Sequence, residues 1–424
     1  MVSNLRSVSV LLLSTFVMML AVGLQGMLIP LRAAAEGWSR TEIAWIGTSY
    51  ALAFTAGCIV TPLLVRRVGH IRVFAAFQAL LGASLLLHAM ILDPVGWCIF
   101  RVIGGFALSG AYMIVESWLN ERVDNANRGA VFAGYMIASM SGVGAGQFIL
   151  PFGEVGNSAL FMIAALLYSL AMLPIAFTTA QSPQPLTRVS LDLKALYFKS
   201  PAALVGSFLA GVIFGNWNYF GPLYGQSVGL SSAGIAMMMT AAMVGGMIFQ
   251  VPFGRLSDRI DRRYVMALAG AIGVAVSLAM IMASPVQPAA IIGGVFALGS
   301  VLFTIYALNV AHANDKADAG EFLQVSGGLL IVYGIGTMVG PQIGGRLMDA
   351  AGPSGFFMAM AIVYGLYGLH ALWRSRQAAA IDPDQRSDFQ VVPATPVQTP
   401  ETVALDRRAE DDASDGALDQ PKPV

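Results

Sequence analysis

The sequence predicts an all-α membrane protein of twelve transmembrane helices arranged as two six-helix bundles. Three observations carry that prediction. The composition is too apolar for a water-facing surface, the apolar residues fall in twelve continuous runs of bilayer length, and the second half of the chain repeats the first. Of the 424 residues, 56% are hydrophobic and 11% are charged, against about 25% charged in an ordinary soluble domain. Mean hydropathy is +0.69. A soluble fold of this length cannot cover itself with so few charges, whereas lipid removes the need. Lys and Arg number 24, as do Asp and Glu. The balance is neutral and gives no basis for a nucleic-acid partner.

An apolar run of about 20 residues crosses a bilayer as a helix. The runs are 8–31, 41–65, 72–92, 95–118, 129–152, 157–179, 201–225, 232–253, 264–284, 287–311, 322–346 and 353–374. They are continuous, which excludes the alternation of a membrane β-barrel. The first exceeds the roughly 7–15 residues of a signal-peptide core and has a counterpart in the second half, so it reads as a retained helix. The segment 180–200 holds Pro183, Pro185, Arg188, Lys194 and Lys199 and reads as a solvated cytoplasmic linker. The chain thus divides into a bundle at 1–179, the linker, a bundle at 201–374 and a tail at 375–424. The tail carries six prolines and the acidic run Glu410-Asp411-Asp412. So few apolar side chains cannot offset ordering entropy, and disorder is expected.

Loop charge sets orientation. With the N-terminus inside, the inner loops hold Arg66, Arg67, Arg72, Arg122, Arg128, Arg188, Lys194, Lys199, Arg255, Arg259, Arg262, Arg263 and Lys316. The outer loops hold Arg32, Arg40 and Arg346. Both termini are expected in the cytoplasm, with the chain multi-pass in the inner membrane.

The halves match at a shift of 192 residues. Gly23 to Leu31 lies over Gly215 to Leu223, and Gly37-Trp38-Ser39 over Gly229-Leu230-Ser231. Gly142 and Gly146 match Gly336 and Gly340 at 194, and Ile103-Gly104-Gly105 matches Ile292-Gly293-Gly294 at 189. Repeated halves place a cavity at their interface near the midplane.

The run Gly254-Arg255-Leu256-Ser257-Asp258-Arg259-Ile260-Asp261-Arg262-Arg263 resembles the loop signature of the major facilitator superfamily. Asp261 stands where that family usually has glycine. The resemblance implies that Gly254 lets two helices touch and that Asp258 faces a helix N-terminus, that of the fifth span. It implies too that Arg259, Arg262 and Arg263 pair with acids across a cytoplasmic gate. The first-half copy keeps Arg67 and Gly69 but has Pro62 and Arg66 for the glycine and the aspartate. Arg101 followed by Gly104 and Gly105 resembles a second signature of that family, one linked to proton coupling. Gly340-Pro341 resembles the antiporter glycine-proline signature but lies in the eleventh span, where close packing is the simpler role. Together, residues 67–72, Glu116-Ser117-Trp118-Leu119-Asn120 and Asn127-Arg128-Gly129 are similar to the YcaD-like branch of the superfamily. The resemblance covers residues 8–374 and implies a secondary active transporter working by alternating access, proton-coupled, on a small solute. An uncoupled facilitator and a transporter-like sensor are the alternatives. The expected partners are a small-molecule substrate, protons and the lipid bilayer, in a monomer. No enzyme activity, cofactor or metal is expected, since Cys58, Cys98 and the four histidines make no ligand spacing.

An arginine inside a span is costly unless paired or hydrated. Arg101, Gly105, Leu108, Tyr112 and Glu116 share one helix face. Either Arg101 lines the cavity or it snorkels to the outer edge. Glu116 reads as a latch to Arg66, Arg67 or Arg128. The other cavity candidates are Gln25, Tyr50, Tyr135, Gln147, Gln250 and the cluster Asn216, Trp217, Asn218 and Tyr219. That cluster sits between Gly215 and Gly221-Pro222, where the seventh span is expected to bend.

Overall fold

A computed structural model of the chain describes residues 2–122, 128–177, 193–317 and 321–377, together with Arg386, Phe389 and residues 399–401. The helices are α1 Val2–Ala35, α2 Arg40–Val68, α3 His70–Met90, α4 Pro94–Arg122, α5 Arg128–Gln147, α6 Ala159–Ala176, α7 Leu193–Lys199, α8 Pro201–Ser227, α9 Ser232–Arg259, α10 Arg262–Ala283, α11 Pro288–Leu302, α12 Ile305–Asn314, α13 Phe322–Ala351 and α14 Ser354–Gln377. Eleven segments are long and apolar enough to cross a membrane, α11 and α12 counting as one. The pair α7 and α8, bent by 114°, makes twelve. Helices close their own backbone hydrogen bonds, which lipid demands. Leu52, Leu86, Leu166, Met282 and Leu369 stand exposed on them, as a lipid-facing surface allows.

The repeat is written into the packing. A Cβ at Gly142 would strike Phe16 O, and one at Gly336 would strike Phe208 O. Gly146 meets Leu20 O, and Gly340 meets Val212 O. Each partner in the second half lies 192 residues beyond its first-half equivalent. Two helix pairs, α1 with α5 and α8 with α13, therefore touch backbone to backbone through the same glycines. The turns repeat as well. Gly37 and Gly229 have φ of 78° and 82°, a region open mainly to glycine. Ser39 and Ser231 then cap α2 and α9 by accepting from Glu42 N and Gly234 N. At α2, Ser39 N in turn donates to the Glu42 carboxylate at 2.7 Å, completing a capping box.

Four expectations need correction. First, the structure matches Gly105 to Gly299, not to Gly294. Gly105 packs on Tyr50 O and Gly299 on Ala242 O, and Ala242 is the equivalent of Tyr50. Second, the tenth span is broken at Phe303 and Thr304. Ser300 Oγ donates to Ala297 O and Thr304 Oγ1 to Ser300 O, and such back-bonding bends helices. Third, α8 runs as one helix through Gly215 and Pro222, so the expected bend is found in the tenth span instead. Fourth, the fifth helix ends at Gln147, and a 3₁₀ turn, Leu150–Phe152, replaces its last turn. Within the linker, α7 is ordered, and Lys199 pairs with Glu321. Of the tail, Arg386, Phe389 and residues 399–401 are described, and they lie against the helices rather than free. The other expectations for the linker and tail fall outside the described residues.

Candidate functional site

Two chambers lie between the halves. The larger is walled by α2, α8 and α13, through Tyr50, Phe54, Thr55, Cys58, Phe214, Leu330, Tyr333 and Thr337. The second is walled by α1, α2, α4, α5, α8 and α9, through Gln25, Arg101, Gln147 and Met239. Tyr50, Asn218 and Tyr219 line both and join them. They leave about 90 Å³ and 80 Å³ for water-sized occupants, room for a handful of waters each.

Arg101 sits at the junction. It is 6% exposed. Its Nη2 donates to the Tyr219 hydroxyl at 2.7 Å, so α4 of the first half is tied to α8 of the second. Its guanidinium lies 3.8 Å from the centre of the Tyr50 ring. No acid pairs with it among the described residues, and its Nε has no partner. The geometry is that of a cavity arginine, not of one snorkelling to an edge. Asn218 lines both chambers. Gln25 and Gln147 line the second, and Gln147 accepts from Thr240 Oγ1 at 2.8 Å.

The remaining cavity candidates lie elsewhere. Tyr112 is buried between α4 and α1 with its hydroxyl on Met19 Sδ. Asn216 and Trp217 point into the second half, where Asn216 Nδ2 reaches Phe356 O at 3.4 Å and Trp217 packs on Phe356. Gln250 is buried in α9 and lines neither chamber. Tyr135 is also buried, and its hydroxyl donates to Glu116 Oε1 at 2.6 Å.

Glu116 itself is fully buried. Besides Tyr135, it accepts from the hydroxyl of Thr399. Arg66 and Arg67 are exposed at the end of α2 and do not reach it, so the expected latch to them is not formed. The side chain of Arg128 lies outside the described residues.

The gate candidates are arranged within one half. Arg262 is 1% exposed. It grips Asp315 with two bonds, Nε to Oδ2 at 2.6 Å and Nη2 to Oδ1 at 3.2 Å, and reaches Ser257 and Asp258 through Nη1. Arg263 pairs with Asp261 at 2.6 Å and donates to Arg374 O. Among the described residues these pairs join α9, α10, α12 and α14 within the second half, where the resemblance implies pairing across a gate. Arg259 is exposed. Asp258 accepts from Arg262 and from Phe389 N at 3.1 Å. Among the described residues the start of α5 is not its partner. Gly254 packs on the Phe389 ring. Asp261 needs no glycine, since its φ is −55° and its carboxylate caps α10. Burial pushes the Asp261 carboxyl up, but the hydrogen bonds and charge of Arg263 prevail and hold it below its usual value. Burial, then the charges of Arg263 and Arg374, pull the Lys316 ammonium below its usual value.

Among the described residues, the direct hydrogen bonds between the halves gather toward one end, away from Arg66 and Arg259. Arg40 pairs with Asp349 at 3.3 Å and donates to Met348 O. Thr48 donates to Met338 O at 2.7 Å and accepts from Gln342. Thr240 and Gln147, then Arg101 and Tyr219, complete the set. Toward the basic end, residues 399–401 stand between the halves. None of Arg40, Thr48, Thr240, Gln342 or Asp349 was singled out as a contact, because a loop charge or a helix threonine carries no sign of its partner.

The Major Facilitator Superfamily model matches residues 11–235 and 203–401. Curated relatives include the uncharacterized MFS-type transporters YcaD of Salmonella heidelberg (strain SL476) and Escherichia fergusonii. Each is 26% identical, over 88% of this chain and 97% of its own length. Similar solved structures include a mutant of the nucleoside transporter NupG, with TM-score 0.75 and 14% identity over 87% of this chain and 98% of that one. A bacterial homolog of the human lysosomal transporter Spinster has TM-score 0.71 and 12% identity over 90% of this chain and 97% of that one. With most of its length matched by the family and its fold shared with transporters, the chain is a multi-pass membrane transporter of the Major Facilitator Superfamily.

Proposed function

We propose that the protein is a secondary active transporter of the inner membrane whose cargo is a small organic monoanion with an apolar body. The observation that carries this is Arg101, a buried cation at the junction of two chambers with no acid beside it among the described residues. A buried charge without a counterion is costly, and a carboxylate on the cargo relieves that cost. The apolar walls at Phe54, Phe214 and Leu330 suit the rest of such a molecule. The halves 1–179 and 201–374 rock about this site, joined by 180–200. Glu116, a buried carboxyl held by Tyr135, is the candidate proton carrier, and coupling to protons follows from it.

The basic end faces the cytoplasm in this reading, because positive loops are retained there. A reporter fused after Gln377 then reads as cytoplasmic, and a periplasmic signal reverses the topology. The cargo reading is tested by thermal stabilisation of purified protein with matched carboxylates and amides. Stabilising carboxylates are then followed into liposomes with and without a pH gradient. Carboxylates stabilise the wild type and not Arg101→Ala. Stabilisation by amides or cations alone contradicts the reading.

A further inference from the structure

The mouth of the cavity at the basic end is occupied by the chain's own C-terminal segment. Thr399 is fully buried and Glu401 is 5% exposed. The Thr399 hydroxyl donates to the Glu116 carboxylate of α4. Pro400 forms part of the wall of the larger chamber, beside Thr55 and Cys58 of α2 and Leu330 and Tyr333 of α13. One short stretch therefore touches both halves in a region where, among the described residues, no direct bond between the halves is seen.

Two further residues moor the tail outside the mouth. Arg386 Nη1 donates to Ile260 O at 2.8 Å, just past the end of α9. Carbonyls at a helix C-terminus lack intrahelical partners and favour a cation there. Phe389 donates its N–H to Asp258, and its ring lies where a Cβ on Gly254 would stand. The glycine and aspartate of the loop signature thus hold the tail in this conformation.

We infer that the mouth of the transport cavity is a binding site for the segment at residues 399–401, and that this segment must leave before cargo enters from the basic end. A hydroxyl donor on Glu116 and a proline in the apolar chamber fill the space through which a small amphiphile would pass. Because the segment is tethered, its effective concentration at the site is on the order of millimolar, so weak contacts suffice. The same seat puts Thr399 on the proposed proton carrier, and one contact therefore restrains both cargo entry and proton access. This rests on the cavity being the transport route, but the tests below require no transport.

Cys58 is a native reporter, since it lines the chamber beside Pro400. In the full chain with Cys98→Ala, the labelling rate of Cys58 by N-ethylmaleimide reads how far the mouth is open. Thr399→Glu places a second carboxylate against Glu116, which a dry site does not accept. Labelling is then on the order of tenfold faster, while Thr399→Ser keeps the donor and labels as the parent does. Seating is read separately. With Pro400→Cys in the same background, a short bismaleimide links position 400 to Cys58 within one chain. Absence of that link overturns the seat. A link with unchanged Cys58 labelling in a folded Thr399→Glu protein overturns the restraint.

Discussion

Arg101 lies on α4, about two turns from its start, yet it does not reach back to the membrane edge. Tyr50 and Tyr219 hold it at 3.8 Å and 2.7 Å in a cavity wall. A cation over a ring face contributes about 2 kcal/mol or more when desolvated. A hydrogen bond to a charged group contributes about 1.5–3 kcal/mol. A planar guanidinium can stack on the Tyr50 ring and donate to Tyr219 at once, whereas a lysine ammonium, a compact point charge, does not reproduce the pair. Arg101→Lys is therefore expected to melt below the wild type and to restore little of the flux lost in Arg101→Ala. Full flux in the lysine variant would mean that charge alone suffices and that the aromatic clamp is incidental. Arg101 was legible as a charge inside an apolar run, but its clamp was not, because the two tyrosines come from distant parts of the chain. Asn216 and Trp217 misled for a related reason. One helical turn cannot face a single cavity, so Asn218 and Tyr219 took it while their neighbours turned inward. Glu116 was visible, but its partner Thr399 lay in a segment whose composition pointed to disorder.

At the scale of elements, the glycines of the repeat decide which helices touch. Gly146 seats α5 on the carbonyl of Leu20, and Gly340 seats α13 on that of Val212. A branched side chain at either position must push two backbones apart, and overpacking of this kind costs about 1–3 kcal/mol. Gly146→Val and Gly340→Val are expected to lower the melting temperature by similar amounts, as measured on purified protein. A loss at only one of them would show that the two contacts are not equivalent. The equivalence of Gly142 and Gly146 with Gly336 and Gly340 was readable in the sequence as a steady shift, whereas the helices they touch, α1 and α8, were not. The match of Gly105 was misread, because Ile292-Gly293-Gly294 copies the letters while Gly299 makes the contact. The break at Phe303 and Thr304 was hidden as well. It comes from hydroxyls competing for carbonyls inside an apolar run that reads as one helix. Arg262 was expected to pair with an acid across the gate, and it is a buried clamp on Asp315 of its own half. A positive loop shows its charge but not its burial.

At the scale of the molecule, the fold was legible because lipid leaves so few solutions, whereas the conformation was not. Nothing in the apolar runs says which end is closed. That depends on small polar contacts such as Arg40 with Asp349 and Thr48 with Gln342. An exposed pair of this kind contributes about 0–1 kcal/mol, so the closed end is held by several weak ties and can reopen. Alternating access requires that opening there be matched by closure at the basic end. The most direct measurement is a pair of spin-label distances in the full chain, with Cys58 and Cys98 replaced by alanine. One pair joins Thr41 to Ala233, both exposed at the closed end, and the other joins Arg67 to Arg259 at the basic end. Two populations are expected, short with long and long with short, whose weights change with pH. A single distance at each end across all pH values, or ends that open together, would contradict the account.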